Sequence, residues 1–317
     1  MFNIVFLDST SLPKHITIPR PHFAHEWTEY EYTASSEIVE RAKDADIVIT
    51  SKVIFDRAVL QQLPKLKLIA LTATGTNNID LIAAQEFGIE VKNVAGYSST
   101  TVPEHVIGFI YALKHSFMGW ARDQMAAKWS NSRQFCYFDY PLTDVKGSTL
   151  GIIGKGCIGS EVGRLATLIG MKVLYAEHQN ATQCRAGYTP FYEVLVQSDV
   201  VTLHCPLTEN TTRLINTETL SHFKTGAFLI NTGRGPLIDE NALLAALKSG
   251  KLGGAALDVL VKEPPEKDNP LINAATELPN LIITPHIAWA SDSAVTTLVQ
   301  KVTQNMETFV HRTLGKI

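Results

Sequence analysis

The stretch GKGCIG, residues 154–159, decides the fold of this chain. Residues 148–153 before it, STLGII, form an apolar run that favours a buried strand. The residues after it repeat apolar side chains at helical spacing, namely Val162, Leu165, Ala166 and Ile169. Strand, glycine-rich turn and helix in this order predict one unit of a parallel α/β sheet.

The same alternation of apolar runs and helical stretches continues on both sides of this turn. Further strands are predicted at residues 3–8, 46–51, 66–73, 90–94, 172–175, 200–204, 227–231, 255–258 and 281–284. Helices are predicted at residues 35–43, 55–63, 80–87, 101 to about 120, 157–169, 218–223, 239–249 and 292 to about 311. Strands separated by helices pair in parallel through right-handed crossovers. The sequence therefore predicts an α/β fold with two Rossmann-like doubly wound parallel-sheet domains, one at 1–99 with 290–317 and the other at 100–289. The first is discontinuous because the last predicted helix returns to it.

Each glycine of the turn has a physical task in binding a dinucleotide. Gly154 allows the tight turn, Gly156 lets the backbone approach a pyrophosphate, and Gly159 lets helix and strand pack closely. Cys157 and Ile158 would begin the helix, whose free N–H groups and partial positive charge attract phosphates.

The strand after this helix ends in Glu177, 18 residues beyond Gly159. A carboxylate at that place accepts ribose hydroxyl groups and repels a 2′-phosphate. No arginine follows it directly, since Arg185 comes eight residues later. The sequence thus predicts NAD rather than NADP, and His204, at the end of a later strand, is expected to line the adenosine side.

Three side chains with complementary chemistry follow predicted strands: Arg234, Glu263 and His286. The carboxyl ends of parallel strands meet at one edge of a sheet, where ligands bind. Reduction of a 2-keto acid needs a planar cation for the carboxylate, a proton donor for the carbonyl and an anion that orients this donor. We expect Arg234, His286 and Glu263 to fill these places in that order. Each alone has an ordinary structural explanation, as a loop cap, a structural histidine or a solvated turn residue; their joint occurrence favours the catalytic one.

The overall composition excludes several other functions. Charged residues make up 19% of the chain, hydrophobic residues 45%, and the formal net charge is -3, so no attraction to nucleic acid or to an anionic membrane follows. The N-terminus lacks the basic region of a signal peptide. The four cysteines lack C-x-x-C spacing, which predicts neither a zinc site nor disulfides. The sequence predicts a cytoplasmic protein without a metal.

Five blocks of sequence together resemble the D-isomer-specific 2-hydroxyacid dehydrogenases: GIIGKGCIG at 151–159, HCPLT at 204–208, NTGRG at 231–235, GAALDV at 254–259 and TPHIA at 284–288. The resemblance covers essentially the whole chain and implies an Arg–Glu–His catalytic set at Arg234, Glu263 and His286. It also implies further contacts to the coenzyme, from His204, Pro206, Thr232, Gly233, Asp258 and the catalytic Arg234 and His286.

Within this family, ATGTNNID at 73–80 and HIAWAS at 286–291 look like the glycerate dehydrogenase, or hydroxypyruvate reductase, branch. The resemblance implies that backbone N–H groups at Thr74 and Gly75 bind the substrate carboxylate, as expected for an anion-binding nest. Ala288 and Trp289 stand where most branches have a Gly and a small residue, so Trp289 is expected to narrow the pocket. Hydroxypyruvate and glyoxylate both fit. The family is usually homodimeric, through an arm here at about 100–146.

Other functions share this architecture. The similar C-terminal-binding corepressors use NAD(H) to control assembly and keep the catalytic set, whereas phosphite dehydrogenases share the fold. Formate dehydrogenases, which also share it, lack a Glu at the position of Glu263, so the presence of Glu263 argues against that activity. The segment EHQN at 177–180 departs from the usual Asp followed by a basic or proline-containing turn, which leaves the strictness of the NAD preference open.

Overall fold

The computed structural model describes residues 1–315, and the chain divides into two compact units. The first contains the residues up to Ser98 together with the described residues from Ala290 onward, and the second runs from Ser99 to Trp289. Each unit is built around its own parallel sheet. The fold is therefore the predicted one, two Rossmann-like α/β domains of which the first is discontinuous.

The first unit has a five-stranded sheet in the order β2-β1-β3-β4-β5. Its strands are β1 (Phe2–Phe6), β2 (His25–Glu29), β3 (Ile47–Thr50), β4 (Leu68–Leu71) and β5 (Glu90–Lys92). Its helices are α1 (Ile38–Ala42), α2 (Arg57–Leu60), α3 (Leu81–Glu86) and the C-terminal α11 (Asp292–Thr313). The strands β3 and β4 are buried at every position, as expected for strands with both faces covered.

The second unit has a six-stranded sheet in the order β11-β10-β9-β8-β6-β7. Its strands are β6 (Thr149–Ile153), β7 (Lys172–Ala176), β8 (Val200–Leu203), β9 (Ala227–Asn231), β10 (Leu252–Leu257) and β11 (Leu281–Ile283). Its helices are α4 (Thr101–Lys114), α5 (Phe117–Met125), α6 (Cys157–Leu168), α7 (Phe191–Gln197), α8 (Thr217–His222), α9 (Glu240–Lys248) and α10 (Pro270–Glu277). Successive residues of one strand, such as Ile152 and Ile153, enter two different core clusters, because neighbouring side chains of a strand point to opposite faces.

The structure differs from the sequence prediction at four places. The helix expected from residue 101 to 120 is two helices, α4 and α5, because Ser116 adopts a left-handed conformation (φ 53°) and interrupts the hydrogen-bond ladder. The strand β2 was not predicted; it pairs only with β1 and alternates partly buried with exposed residues. The helices α7 and α10 were also missed.

Two further findings concern the described residues. No helix among them combines the length and the apolar character needed to cross a bilayer. All four cysteines, Cys136, Cys157, Cys184 and Cys205, are free thiols. Burial raises the pKa of the Cys205 thiol to about 11, so this group stays protonated at neutral pH.

Candidate active site

The predicted site residues of the second unit lie at one edge of its sheet. All paired strands in this sheet are parallel, so their carboxyl ends meet there. The chain runs from β6 outward to β7 and then crosses back to β8 on the other side of β6. This reversal is the topological switch point at which doubly wound sheets bind ligands.

The glycine loop after β6 has the geometry of a phosphate cradle. Gly154 has φ 104°, and a Cβ there would lie 2.5 Å from the backbone nitrogen of Cys205. A Cβ at Gly159 would lie 2.0 Å from the carbonyl oxygen of Gly154. The helix α6 then begins at Cys157 without a side-chain cap, leaving its first N–H groups for an anion. The loop fits a dinucleotide pyrophosphate.

Glu177, directly after β7, is buried and fully hydrogen-bonded. Its Oε1 accepts from the backbone nitrogen of His178 at 2.9 Å and from Nη2 of Arg185 at 2.6 Å. Its Oε2 accepts from the backbone nitrogen and Nε of Arg185, at 3.0 and 2.7 Å. The bonds from Arg185 are the main cause that lowers the pKa of Glu177 to about 2, so the carboxylate is ionised. Sequence reasoning noticed Arg185 but not this pair.

His204 follows β8 and contacts the glycine loop through its backbone. Its nitrogen donates to the carbonyl oxygen of Ile153 at 2.7 Å, and its Nε2 lies 3.0 Å from Oγ1 of Thr202. Desolvation lowers the pKa of His204 to about 4, so the ring is neutral at neutral pH. Pro206 is exposed in the same loop. A neutral ring at this place is suited to contact rather than to proton transfer.

Asn231, the last residue of β9, shapes the loop that carries Arg234. It is fully buried; its Oδ1 accepts from the backbone nitrogen of Gly233 at 3.0 Å, and its Nδ2 donates to the carbonyl oxygen of Arg234 at 2.9 Å. The hydroxyl of Thr232, between them, is buried without a hydrogen-bond partner among the described residues. This hydroxyl is therefore free to bond to a ligand or to a water molecule.

Arg234 is half-buried and carries a positive charge. Its Nη1 donates to the carbonyl oxygen of Gly233 at 2.8 Å, and within residues 1–315 it has no carboxylate partner. The next residue, Gly235, packs against the loop after β10, where a Cβ would lie 2.0 Å from the carbonyl oxygen of Leu260. This contact brings the loops of Arg234 and Glu263 together.

Glu263 and His286 are in direct contact. Oε2 of Glu263 lies 2.6 Å from Nδ1 of His286, and Oε1 accepts from the backbone nitrogen of Leu260 at 3.1 Å. The two side chains are 32% and 24% exposed, so the pair remains open to a substrate. His286 itself has φ 56°, and the indole Nε1 of Trp289 donates to its carbonyl oxygen at 2.8 Å.

Asp258, the residue after β10, holds the backbone that follows His286. It is 2% exposed; its Oδ1 accepts from the backbone nitrogen of Ile287 at 2.9 Å, and its Oδ2 from that of Ala288 at 2.9 Å. The hydroxyl of Thr284 donates to Oδ1 as well. A left-handed conformation is costly outside glycine. These bonds to the two following residues help to hold His286 in it.

One neighbour of this loop was missed by the sequence analysis. Nε2 of His105, in α4, lies 3.4 Å from Oγ1 of Thr284, and its ring packs edge-on against Phe109. Desolvation lowers the pKa of His105, although the charge of Asp258 opposes this shift. No sequence signal marks this position, because the contact joins residues 179 apart in the chain.

The loop after β4, in the first unit, carries Thr74 and Gly75. The hydroxyl of Thr74 donates to the carbonyl oxygen of Val94 at 2.8 Å, and Nδ2 of Asn93 donates to the carbonyl oxygen of Thr74 at 2.6 Å. The backbone N–H groups of Thr74 and Gly75 donate no hydrogen bond to any residue that the structure describes. They are available to an anion.

Comparison with known proteins gives the family. The model of the D-isomer-specific 2-hydroxyacid dehydrogenase NAD-binding domain matches residues 107–288. A protein of Haemophilus influenzae whose name assigns it to the 2-hydroxyacid dehydrogenases is 76% identical over 309 residues, 98% of each chain. The chain belongs to the D-isomer-specific 2-hydroxyacid dehydrogenase family. A glycerate dehydrogenase of Methylorubrum extorquens is 47% identical over 97% of this chain and 96% of its own.

The solved structures agree with this family membership. The D-lactate dehydrogenase of Aquifex aeolicus, complexed with NAD and lactic acid, superimposes with a TM-score of 0.80 at 28% identity, covering 99% of this chain and 97% of that one. This 2-hydroxyacid dehydrogenase is thus an NAD-dependent oxidoreductase. The cradle at 154–159 and the unpartnered Thr232 hydroxyl fit a bound dinucleotide.

Proposed function

We propose that this dehydrogenase transfers a hydride between NAD(H) and C2 of a small D-2-hydroxy or 2-keto acid, with hydroxypyruvate and glyoxylate as the keto substrates. The observation that carries the proposal is the 2.6 Å contact between Glu263 and His286 beside the loop of Arg234. The similarity to a glycerate dehydrogenase along nearly the whole chain supports this substrate class.

His286 is the proposed acid and base. An ionised carboxylate only accepts hydrogen bonds, so Glu263 keeps the proton on Nδ1 and leaves Nε2 to exchange a proton with the substrate oxygen. When bound, NADH supplies the hydride that reduces the carbonyl carbon. His286 delivers the proton that this reduction requires at the oxygen, and receives it back when the alcohol is oxidised.

Arg234 is the proposed clamp for the substrate carboxylate. Its guanidinium is half-buried and lacks an anionic partner within the described part of the chain, and a planar fork binds a carboxylate through two parallel hydrogen bonds. We also propose that the N–H groups of Thr74 and Gly75 bind a carboxylate oxygen. Trp289, fixed by its bond to His286, is proposed to limit substrate size.

The remaining predicted contacts are proposals as well. The pyrophosphate would be bound by the glycine loop, at Gly154, Gly156, Cys157, Ile158 and Gly159. The adenosine half of the coenzyme would contact Glu177, His204 and Pro206. The nicotinamide half would contact Thr232, Gly233 and Asp258. Asp258 has a second proposed role, which is to position His286. Its hydrogen bonds to the backbone of Ile287 and Ala288 support this role. The arm at about 100–146 is proposed to form a homodimer, and the protein to act in the cytoplasm.

The decisive experiment is a steady-state assay of the purified protein with NADH and a panel of hydroxypyruvate, glyoxylate, pyruvate and phosphite, the last with NAD. We expect turnover of hydroxypyruvate and glyoxylate. In His286→Ala, kcat should fall by about 10²–10⁴-fold, the usual contribution of general acid catalysis. His311→Ala, at an exposed histidine of α11, is the control.

Three outcomes would contradict the proposal. Coenzyme binding without turnover of any acid would favour a sensing protein similar to the corepressors, and turnover of phosphite alone would favour that oxidation. Full activity of His286→Ala would show that another group moves the proton.

A further inference from the structure

The proposed adenosine side of the coenzyme site contains an ion pair, between Arg185 and Glu177, that a preference for NAD does not explain. Arg185 occupies the carboxylate of Glu177 through three of its four hydrogen bonds. A carboxylate selects NAD because it accepts the ribose hydroxyls and repels a 2′-phosphate. Here both grounds of selection are weakened, since the acceptor positions are filled and the charge is paired with a guanidinium.

Two cations, Arg185 and Lys155, lie at one aromatic ring next to this carboxylate. The Cζ atom of Arg185 lies 4.1 Å from the centre of the Tyr188 ring, and Nζ of Lys155 lies 5.2 Å from the same centre. Nζ of Lys155 also lies 4.4 Å from the ring of Tyr175, in the strand β7 that precedes Glu177. Two positive charges therefore stand over one aromatic ring beside one negative charge.

Arg185 is accessible, whereas its partner is not. Its side chain is 54% exposed, against 3% for Glu177. The pair uses Nε and Nη2, and Nη1 makes no hydrogen bond to the residues that the structure describes. A guanidinium with one free edge can bind a phosphate while it still faces the carboxylate, and Lys155 adds a second charge.

We propose that Arg185 and Lys155 form a binding site for the 2′-phosphate of NADP(H), so that this chain accepts both coenzymes. The proposal rests on the proposed coenzyme contacts of the proposed function, namely that Glu177 faces the adenosine ribose. It extends them by naming the residue that sets selectivity. Arg185 neutralises the group that would reject the phosphate and supplies one of the groups that bind it.

The test measures binding, not turnover. Isothermal titration calorimetry compares ADP-ribose with 2′-phospho-ADP-ribose for the wild type, Arg185→Ala and Glu177→Gln. The control is Arg164→Ala, which removes an exposed arginine with the same Nε and Nη2 pairing to a glutamate, Glu161. We expect the wild type to bind both ligands with dissociation constants within about tenfold of each other.

Arg185→Ala should weaken binding of the 2′-phosphate ligand by about tenfold or more, since one charge-assisted contact is lost and Glu177 becomes free to repel phosphate. ADP-ribose should bind as tightly as to the wild type or more tightly, because the freed carboxylate can accept the ribose hydroxyls. Glu177→Gln should shift the ratio the other way. Arg164→Ala should leave it unchanged. The affinity for the phosphorylated ligand should also fall more steeply with added salt.

The proposal is overturned if the wild type binds ADP-ribose but not its 2′-phosphate, or if neither Arg185→Ala nor Glu177→Gln changes the ratio of the two dissociation constants. Binding of both ligands without turnover of any keto acid would reject the proposed function and leave this site intact. Binding of neither ligand would reject both.

Discussion

Glu263 accepts from Leu260 with one carboxylate oxygen and contacts Nδ1 of His286 with the other. The carboxylate thus ties the imidazole to the backbone of the loop after β10. The ring can keep a hydrogen bond to Glu263 and still expose Nε2, because the two nitrogens lie on opposite sides of it. This division of the ring is the geometric basis of the proposed proton transfer.

Removing the contact between Glu263 and His286 should lower kcat, and the loss should grow as more of the carboxylate is removed. Glu263→Gln keeps an acceptor oxygen but no charge, and Glu263→Ala removes both. We expect kcat to fall in that order, with a loss of about tenfold to a hundredfold in the alanine variant, the equivalent of one charge-assisted hydrogen bond. Glu266→Gln, at an exposed residue of the same loop, should keep its kcat. Equal rates in all three variants would contradict the role of Glu263.

Arg234→Lys should weaken substrate binding more than it slows turnover. Lysine keeps the charge but loses the second parallel hydrogen bond to a carboxylate. We expect KM for the keto acid to rise by about tenfold or more, since each lost 1.4 kcal/mol is a factor of ten. Steady-state kinetics on Arg57→Lys, at an exposed arginine of the first unit, gives the control. A KM equal to that of the wild type would show that Arg234 does not bind the acid.

His204 should make the protein less stable in acid. Desolvation lowers the pKa of its imidazole from 6.5 to about 4 in the folded state. Between these values the unfolded chain binds more protons than the folded one, so the free energy of unfolding falls as the pH falls. His204→Gln removes this dependence and should lose about 2 kcal/mol less than the wild type between pH 7 and pH 5.

Urea unfolding of the coenzyme-free protein at the two pH values measures this difference. His222→Gln, at an exposed histidine, should follow the wild type. If the His204→Gln and wild-type proteins lose the same free energy, the imidazole of His204 is not held neutral.

In the proposed dimer arm at about 100–146, the part after α5 exposes aromatic side chains that a monomer would leave in contact with water. Phe135 is 88% exposed and Phe138 is 80% exposed. Exposed apolar clusters mark interaction surfaces. We expect the wild type to sediment as a dimer and the double variant Phe135→Glu, Phe138→Glu as a monomer. Leu168→Glu, at a leucine of α6 that is 71% exposed, should remain a dimer, and dissociation of this control would mean that the arm is not the interface.

The sequence allowed the site of the second unit to be predicted because its residues follow strands. Buried parallel strands are visible as apolar runs, and their carboxyl ends are adjacent whatever the loops do. The glycine turn, Arg234, Glu263 and His286 could therefore be named, and the structure brings Glu263 and His286 into contact. Their chemical roles stay predictions.

Contacts formed away from strand ends could not be predicted. Arg185 reaches Glu177 across an irregular loop whose path no periodicity describes, and His105 meets Thr284 only through the packing of α4. The break at Ser116 was missed for a related reason, since a serine in a left-handed conformation leaves no mark in the sequence comparable to a glycine.

The packing of Gly235 against Leu260 has a consequence for anyone who would redesign this enzyme. Even one methyl group at Gly235 would collide with the backbone of the neighbouring loop. A grafting experiment that exchanges the segment around Arg234 for that of another dehydrogenase must therefore carry the segment from Leu260 to Glu263 with it. The two segments must be transferred together. In mutant libraries that vary only one of them, we expect most variants to pack the site incorrectly.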